Sequence, residues 1–249
     1  MKETIYTIPV NEAFDSGDEC PFCFLERRTE QRCLRYVIGP GNSFMEPEVR
    51  EITNREGFCG PHLKKLYDYG NPLGSGLIIR SYMQRLRREL NEQLAHHSRP
   101  PKRSLFHKVE TTEDSLTTWI RKRMGTCYMC RSMDENMNRY YYTFFVLLKD
   151  PEFRAKVENC KGFCMRHFVE LLEREKKKLP NSQYDWFYDT LPKLMMENLD
   201  RVQGDLDWFT EKFDYKNSRA DWKNSRDALQ RTMQKLGGGY VADKPYHEE

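Results

Sequence analysis

The chain has no apolar run near the roughly 20 residues that a membrane-spanning helix needs, so membrane insertion by a helix is excluded. Its first residues lack the apolar stretch and cleavage site of a secretory signal, so a cytoplasmic, soluble protein with reduced thiols is expected. Alternating Val, Ile and Thr of the strand type is nearly missing, and only residues 4–10 read as extended. Neither charge sign prevails: Lys and Arg number 41 against 38 Asp and Glu, and a net charge of +3 names no polyanionic partner. Also missing are a phosphate-cradling glycine loop, an H-E-x-x-H helix and a Ser–His–acid order. Nothing nominates an active site, and a protein that is not an enzyme is expected.

What the chain does have is one cysteine–histidine signature, twice. Cys20-Pro-Phe-Cys23 is followed by Cys59-Gly-Pro-His62, and Cys127-Tyr-Met-Cys130 by Cys164-Met-Arg-His167. Ligands at i and i+3 of a helix start share a face, so each C-x2-C or C-x2-H can grip one ion. The positive end of a helix also favours the thiolate form that binds metal. Three thiolates and one imidazole fill a tetrahedron, and zinc is the default occupant of such a set. The spacing predicts two zinc ions, one per half: Cys20, Cys23, Cys59 and His62, then Cys127, Cys130, Cys164 and His167. A closed four-ligand shell is the structural pattern, because catalytic zinc keeps a position for water. Disulfides are disfavoured without an export signal. A thioredoxin-type site lacks its βαβ context, and a c-type haem hook fails because Phe24 and Arg131 stand where His is needed.

The flanks repeat as well. Glu46-Pro47-Glu48 and Asp150-Pro151-Glu152 read as helix starts before the second hook of each half. Gly57-Phe58-Cys59 matches Gly162-Phe163-Cys164, and Leu63 and Leu66 match Phe168 and Leu171 on one helical face below the histidine. Helices are expected over 21–38, 128–148, 73–97 (from the stripe Leu77, Met83, Leu86, Leu90, Leu94) and 182–213, the last broken or started at Pro192. The expected fold is all-α, with duplicated zinc-binding units in a pseudo-twofold arrangement and a C-terminal helical extension clasping both. Its boundaries are 1–98 and 113–213 for the repeats, 99–112 for a linker, and 214–249 for a C-terminal helical segment and loose tail. Cys33 is expected as a buried small hydrophobe, and Cys160, His96, His97 and His107 as unliganded.

Two segments stand outside the duplication. Residues 80–108 hold eight Lys and Arg against Glu89 and Glu92. The first reading is a solvated helix face, and the second a polyanion site of Arg80, Arg85, Arg87, Arg88, Lys102 and Arg103. The C-terminal block is dense in rings and charges. Core packing explains it most simply, and a groove of Trp208, Phe213, Asp214, Tyr215, Trp222 and Asp227 is the sharper reading.

C-P-x-C at Cys20–Cys23, G-F-C-x2-H-x3-L at Gly57–Leu66, Lys212-Phe-Asp-Tyr-Lys-Asn217 and Trp222–Leu229 together resemble an uncharacterised bacterial family, common in Firmicutes, with a domain of unknown function. The resemblance covers nearly the whole chain and implies a cytoplasmic bacterial protein; it supplies no catalytic residues. The expected function is a zinc-stabilised interaction or adaptor module with a protein partner. The alternatives are a thiol and zinc redox or metal sensor, and nucleic-acid binding through 80–108.

Overall fold

The computed structural model describes residues 5–41, 43–97, 115–179, 181–239 and 241–242. They form eleven α-helices and two short 3-10 turns, with no strand among the described residues, so the fold is all-α. No helix among them is long and apolar enough to cross a membrane. The expected linker at 99–112, with Lys102, Arg103 and His107, and most of the tail expected to be loose lie outside the described residues.

Two compact units divide the chain. One is built from Met1–Thr29 and Asp134–Lys244, the other from Glu30–Met133. This division differs from boundaries at 1–98, 99–112, 113–213 and 214–249, because helices from both sequence repeats share one core. In the first unit, Val10, Phe14 and Phe22 from near the N-terminus are buried with Tyr141, Phe144, Phe153 and Phe163. Phe22 stacks on Tyr141 at 4.4 Å, and Phe14 meets Phe153 edge-on at 5.1 Å. The second unit buries Leu34, Val37, Phe44, Phe58, Leu66 and Met129.

The first correction concerns residues 4–10, which are helical from Thr7: α1 spans Thr7–Asp15. Its β-branched residues favour a strand by tenths of a kcal/mol. Val10, Ala13 and Phe14, at helical spacing, gain more by burial in the core. Helix α2 (Pro21–Ile38) lies where the periodicity put it, and the division between the units falls inside it. The acid–Pro–Glu signals start α3 (Pro47–Glu56) and α8 (Pro151–Asn159); the Asp150 carboxylate accepts from the Glu152 amide at 3.0 Å.

Helix α4 (Gly60–Asp68) buries Leu66 but leaves Leu63 exposed, so the expected shared face holds only in part. Helix α5 (Pro72–His96) is present but turned about its axis: Gly74 and Ile78 are buried, and Met83 and Leu94 are exposed. It packs on α3. Polar bonds join the two, Ser81 Oγ donating to Asn54 Oδ1 at 2.9 Å and Arg85 to Glu51 at 2.6 Å. After α6 (Ser115–Met124), α7 (Tyr128–Leu147) carries the ring-rich stretch, and the division between the units falls inside it too. Beyond α9 (Met165–Lys178), α10 (Tyr184–Glu211) passes through Pro192 without a break. Burial of Phe187, Leu191, Leu194 and Met195 offsets the lost helical hydrogen bond there. The last helix, α11 (Ala228–Gly237), packs on α9 and α10.

Candidate metal centres

The four hooks start four helices. Cys20, Cys59, Cys127 and Cys164 stand directly before α2, α4, α7 and α9. Their carbonyls accept the first helical hydrogen bonds from the amides of Phe24, Leu63, Arg131 and Phe168, at 3.1, 2.9, 3.1 and 2.9 Å. The second ligand, three residues on, sits in the first turn on the same side. Gly57 and Gly162, at φ 66° and 74°, turn the chain into the Cys59 and Cys164 hooks. A Cβ on Gly57 would come within 2.5 Å of the Tyr82 hydroxyl, so glycine is required twice over there.

The hooks do not close within the sequence repeats. One cluster joins Cys20, Cys23, Cys164 and His167; the other joins Cys59, His62, Cys127 and Cys130. This overturns the pairing of Cys20 and Cys23 with Cys59 and His62, and of Cys127 and Cys130 with Cys164 and His167. The cause is the packing around the hooks. Phe22 and Phe163, beside Cys23 and Cys164, lie in one core, while Phe58 and Met129 lie in the other. The Tyr128 amide also donates to the Gly57 carbonyl at 3.0 Å, which fixes the start of α7 beside the Cys59 hook.

The geometry fits zinc. With Zn–S bonds of about 2.3 Å, a tetrahedron sets its sulfurs about 3.8 Å apart. The Cys23 and Cys164 sulfurs lie 3.7 Å apart, and those of Cys59 and Cys130 3.8 Å. In each cluster the histidine turns Nδ1 inward. His167 Nδ1 lies 3.2–3.4 Å from the sulfurs of Cys20, Cys23 and Cys164. His62 Nδ1 lies 3.1–3.4 Å from those of Cys59, Cys127 and Cys130. All four ligand atoms of either cluster fall within 4.8 Å of one another.

Electrostatics point to a cation as well. Three adjacent thiols cannot all ionise alone, so they share charge by hydrogen bonding. Cys164 is held well down by hydrogen bonds from Cys20 and Cys23. Cys23 is pushed up to about 12, chiefly by its bond to Cys164, and burial raises Cys20. In the other cluster burial works against Cys127, yet bonding to His62 and to backbone amides brings it down to about 6. Burial, with the Cys127 charge, lifts Cys130 to about 12. A divalent ion bound in either cluster would take the place of the shared protons, and two converging helix N-termini per cluster would oppose the remaining negative charge.

Sequence reasoning missed the carboxylates behind the histidines. His62 Nε2 meets Glu30 Oε1 at 3.1 Å, and His167 Nε2 lies 3.8 Å from Glu26 Oε2. Such partners fix the ring and its tautomer and strengthen it as a ligand. Both acids come from α2, one helical turn apart; at the matching positions after Cys130 stand Met133 and Met137, so the duplication gave no signal. Replacing Glu30 with Ala should weaken metal binding at the Cys59 cluster about 10- to 100-fold. Competition against a chromophoric chelator would read this as one weakened ion, with the other unchanged.

The remaining candidates fall as follows. Arg80, Arg87 and Arg88 are exposed on α5, whereas Arg85 lies 2.6 Å from both Glu51 and Glu89. In the C-terminal block Trp222 packs with Phe209 and Phe213 at 6.0 and 6.4 Å. Trp208 Nε1 donates to the Asp221 carbonyl at 2.9 Å, and Tyr215 is exposed. Asp214 accepts from the Lys216 amide at 2.9 Å and Asp227 from Arg231 Nε at 2.8 Å, so both carboxylates hold local structure. Lys212 closes this turn by donating to the carbonyls of Asn217, Ser218 and Ala220 at 2.6, 3.0 and 2.5 Å. Cys33 is buried beside Leu34 and Val37, and Cys160 belongs to neither cluster; it accepts from the Gly162 amide at 3.4 Å. His96 and His97 also stand outside both clusters.

Among known proteins, the Family of unknown function (DUF6062) matches residues 1–243, and the chain belongs to that family. No curated protein and no solved structure matches it.

Proposed function

From a family whose function is unknown the chain inherits no activity, and we propose that it is a zinc-stabilised helical interaction module without catalysis. One observation carries this reading: each cluster is a complete set of four protein ligands, drawn from segments more than 60 residues apart in sequence. A filled tetrahedron has no position for a metal-bound water, the usual agent of zinc catalysis, and instead ties distant helix starts together. The proposed partner is another protein. The exposed Phe213 and Tyr215, beside half-buried Trp222, are the ring-bearing surface favoured at protein interfaces. The nucleic-acid reading is weaker, because Arg85 is already neutralised by two carboxylates.

Metal analysis tests the architecture, with two zinc ions per chain expected. Stripping both with a high-affinity chelator should abolish the cooperative thermal transition. A chain that melts unchanged without metal overturns the structural role. For the partner, affinity capture is compared between the wild type and an F213A/Y215A variant. A protein retained by the first and lost from the second supports the reading, and identical capture counts against it.

A further inference from the structure

The two clusters differ in access. Cys20, Cys23 and Cys164 are each 0% exposed and His167 is 1% exposed. The turn after α11 lies against two of them: the Gly239 amide donates to Cys23 Sγ at 3.3 Å, and a Cβ on Gly238 would stand 3.4 Å from Cys164 Sγ. A cleft of about 420 Å³ borders this cluster, lined by Glu26, Tyr141, Arg166, His167 and Arg174 among others, with no cysteine in its wall. Of the four cluster residues His167 alone lines that cleft, and it is itself buried. In the other cluster Cys127 is buried, but Cys59 and Cys130 are partly exposed. Their sulfurs lie 3.8 Å apart on two different elements, the N-cap of α4 and the first turn of α7.

We propose that the Cys59 cluster is a thiol switch: a peroxide joins Cys59 and Cys130 in a disulfide and expels that cluster's metal ion, while the Cys20 cluster keeps its own. The proposal rests on the reading that both clusters hold zinc. One exposed thiolate attacks the peroxide O–O bond, forming a sulfenic acid and releasing hydroxide, which takes a proton to become water. The second thiolate attacks that sulfur, the S–O bond breaks, and a second water forms after protonation. Two electrons pass from the two sulfurs to the peroxide, and two thiolates, one peroxide and two protons give one disulfide and two waters. The sulfurs close from 3.8 Å to about 2.0 Å, and His62 and Cys127 are left as two ligands, too few to hold zinc against solvent. Access selects the cluster, since metal-bound thiolates are oxidised where the oxidant can reach them.

The test is a hydrogen peroxide titration of the full chain, with released zinc read by a chromophoric chelator and disulfides by non-reducing peptide mapping. The expected result is a plateau at one zinc released per chain and a Cys59–Cys130 bridge, both reversed by a dithiol with added zinc. A Cys160→Ser variant should behave identically. A chain that starts with fewer than two zinc ions overturns the metal reading and this proposal with it. Two ions released in parallel, none released, or a bridge containing Cys20, Cys23 or Cys164 overturns the proposal alone.

Discussion

A C23S/C164S double variant should keep one zinc ion, and a C23S/C59S variant should keep none. The clusters as folded require this, since Cys23 and Cys164 belong to one ion and Cys23 and Cys59 to two. Pairing within the sequence repeats demands the reverse, one ion for C23S/C59S and none for C23S/C164S, so native mass spectrometry of the two variants separates the alternatives. The thermal effect should also be large. A structural zinc site supplies about 10–16 kcal/mol of apparent binding energy, comparable with the whole stability of a domain at about 5–15 kcal/mol. Losing Cys23 already breaks its cluster, so removing Cys164 as well should add little to the fall in melting temperature. Removing Cys59 should add a second fall of similar size, because mutations in separate clusters are nearly independent.

The duplicated hooks are enough to pick out all eight residues of the two clusters and the four helices that they start, because spacing at i and i+3 and a helix N-terminus are local facts. Which hook closes with which is not local. That choice is made by Phe22 and Phe163 meeting in one core and Phe58 and Met129 in the other, and no spacing within 20–62 or 127–167 encodes it. The same limit applies to α5. Its leucine stripe gave the helix correctly, but the side it turns toward α3 is set by Ser81 and Arg85 finding Asn54 and Glu51. Glu26 and Glu30 belong to no motif, and their place beside His167 and His62 comes only with the fold. The ring-dense block at 208–227 proved to be self-bracing, with Lys212 at its centre.

The largest single-residue effect away from the ligands is expected at Lys235. The buried face of α11 is polar, formed by Arg231, Gln234 and Lys235 together with Ala228, an arrangement that no hydrophobic pattern would select. Lys235 is 0% exposed, and burial pulls its ammonium below the usual lysine range. Its Nζ donates to the Glu19 carbonyl at 2.5 Å and to the Lys161 carbonyl, and lies 3.3 Å from Glu19 Oε2. It therefore ties the residue before Cys20 to the loop before Cys164, both within the first unit. Lys235→Ala leaves two carbonyls without their donor and a carboxylate, itself 3% exposed, short of one cation. Breaking a buried ion pair from one side costs about 3–5 kcal/mol. For a chain of this size that is a fall in melting temperature of about 6–20 °C. Lys193→Ala, which removes an exposed lysine 3.8 Å from Glu197, is the control and should shift stability by less than about 0.5 kcal/mol. The loss should also reach the metal, because the turn after α11 is what covers Cys23 and Cys164. In Lys235→Ala, peroxide should release the second zinc as well as the first. An unchanged melting temperature would show that α11 docks without this lysine. A large fall with the second zinc still protected would show that the burial of the Cys20 cluster does not depend on α11.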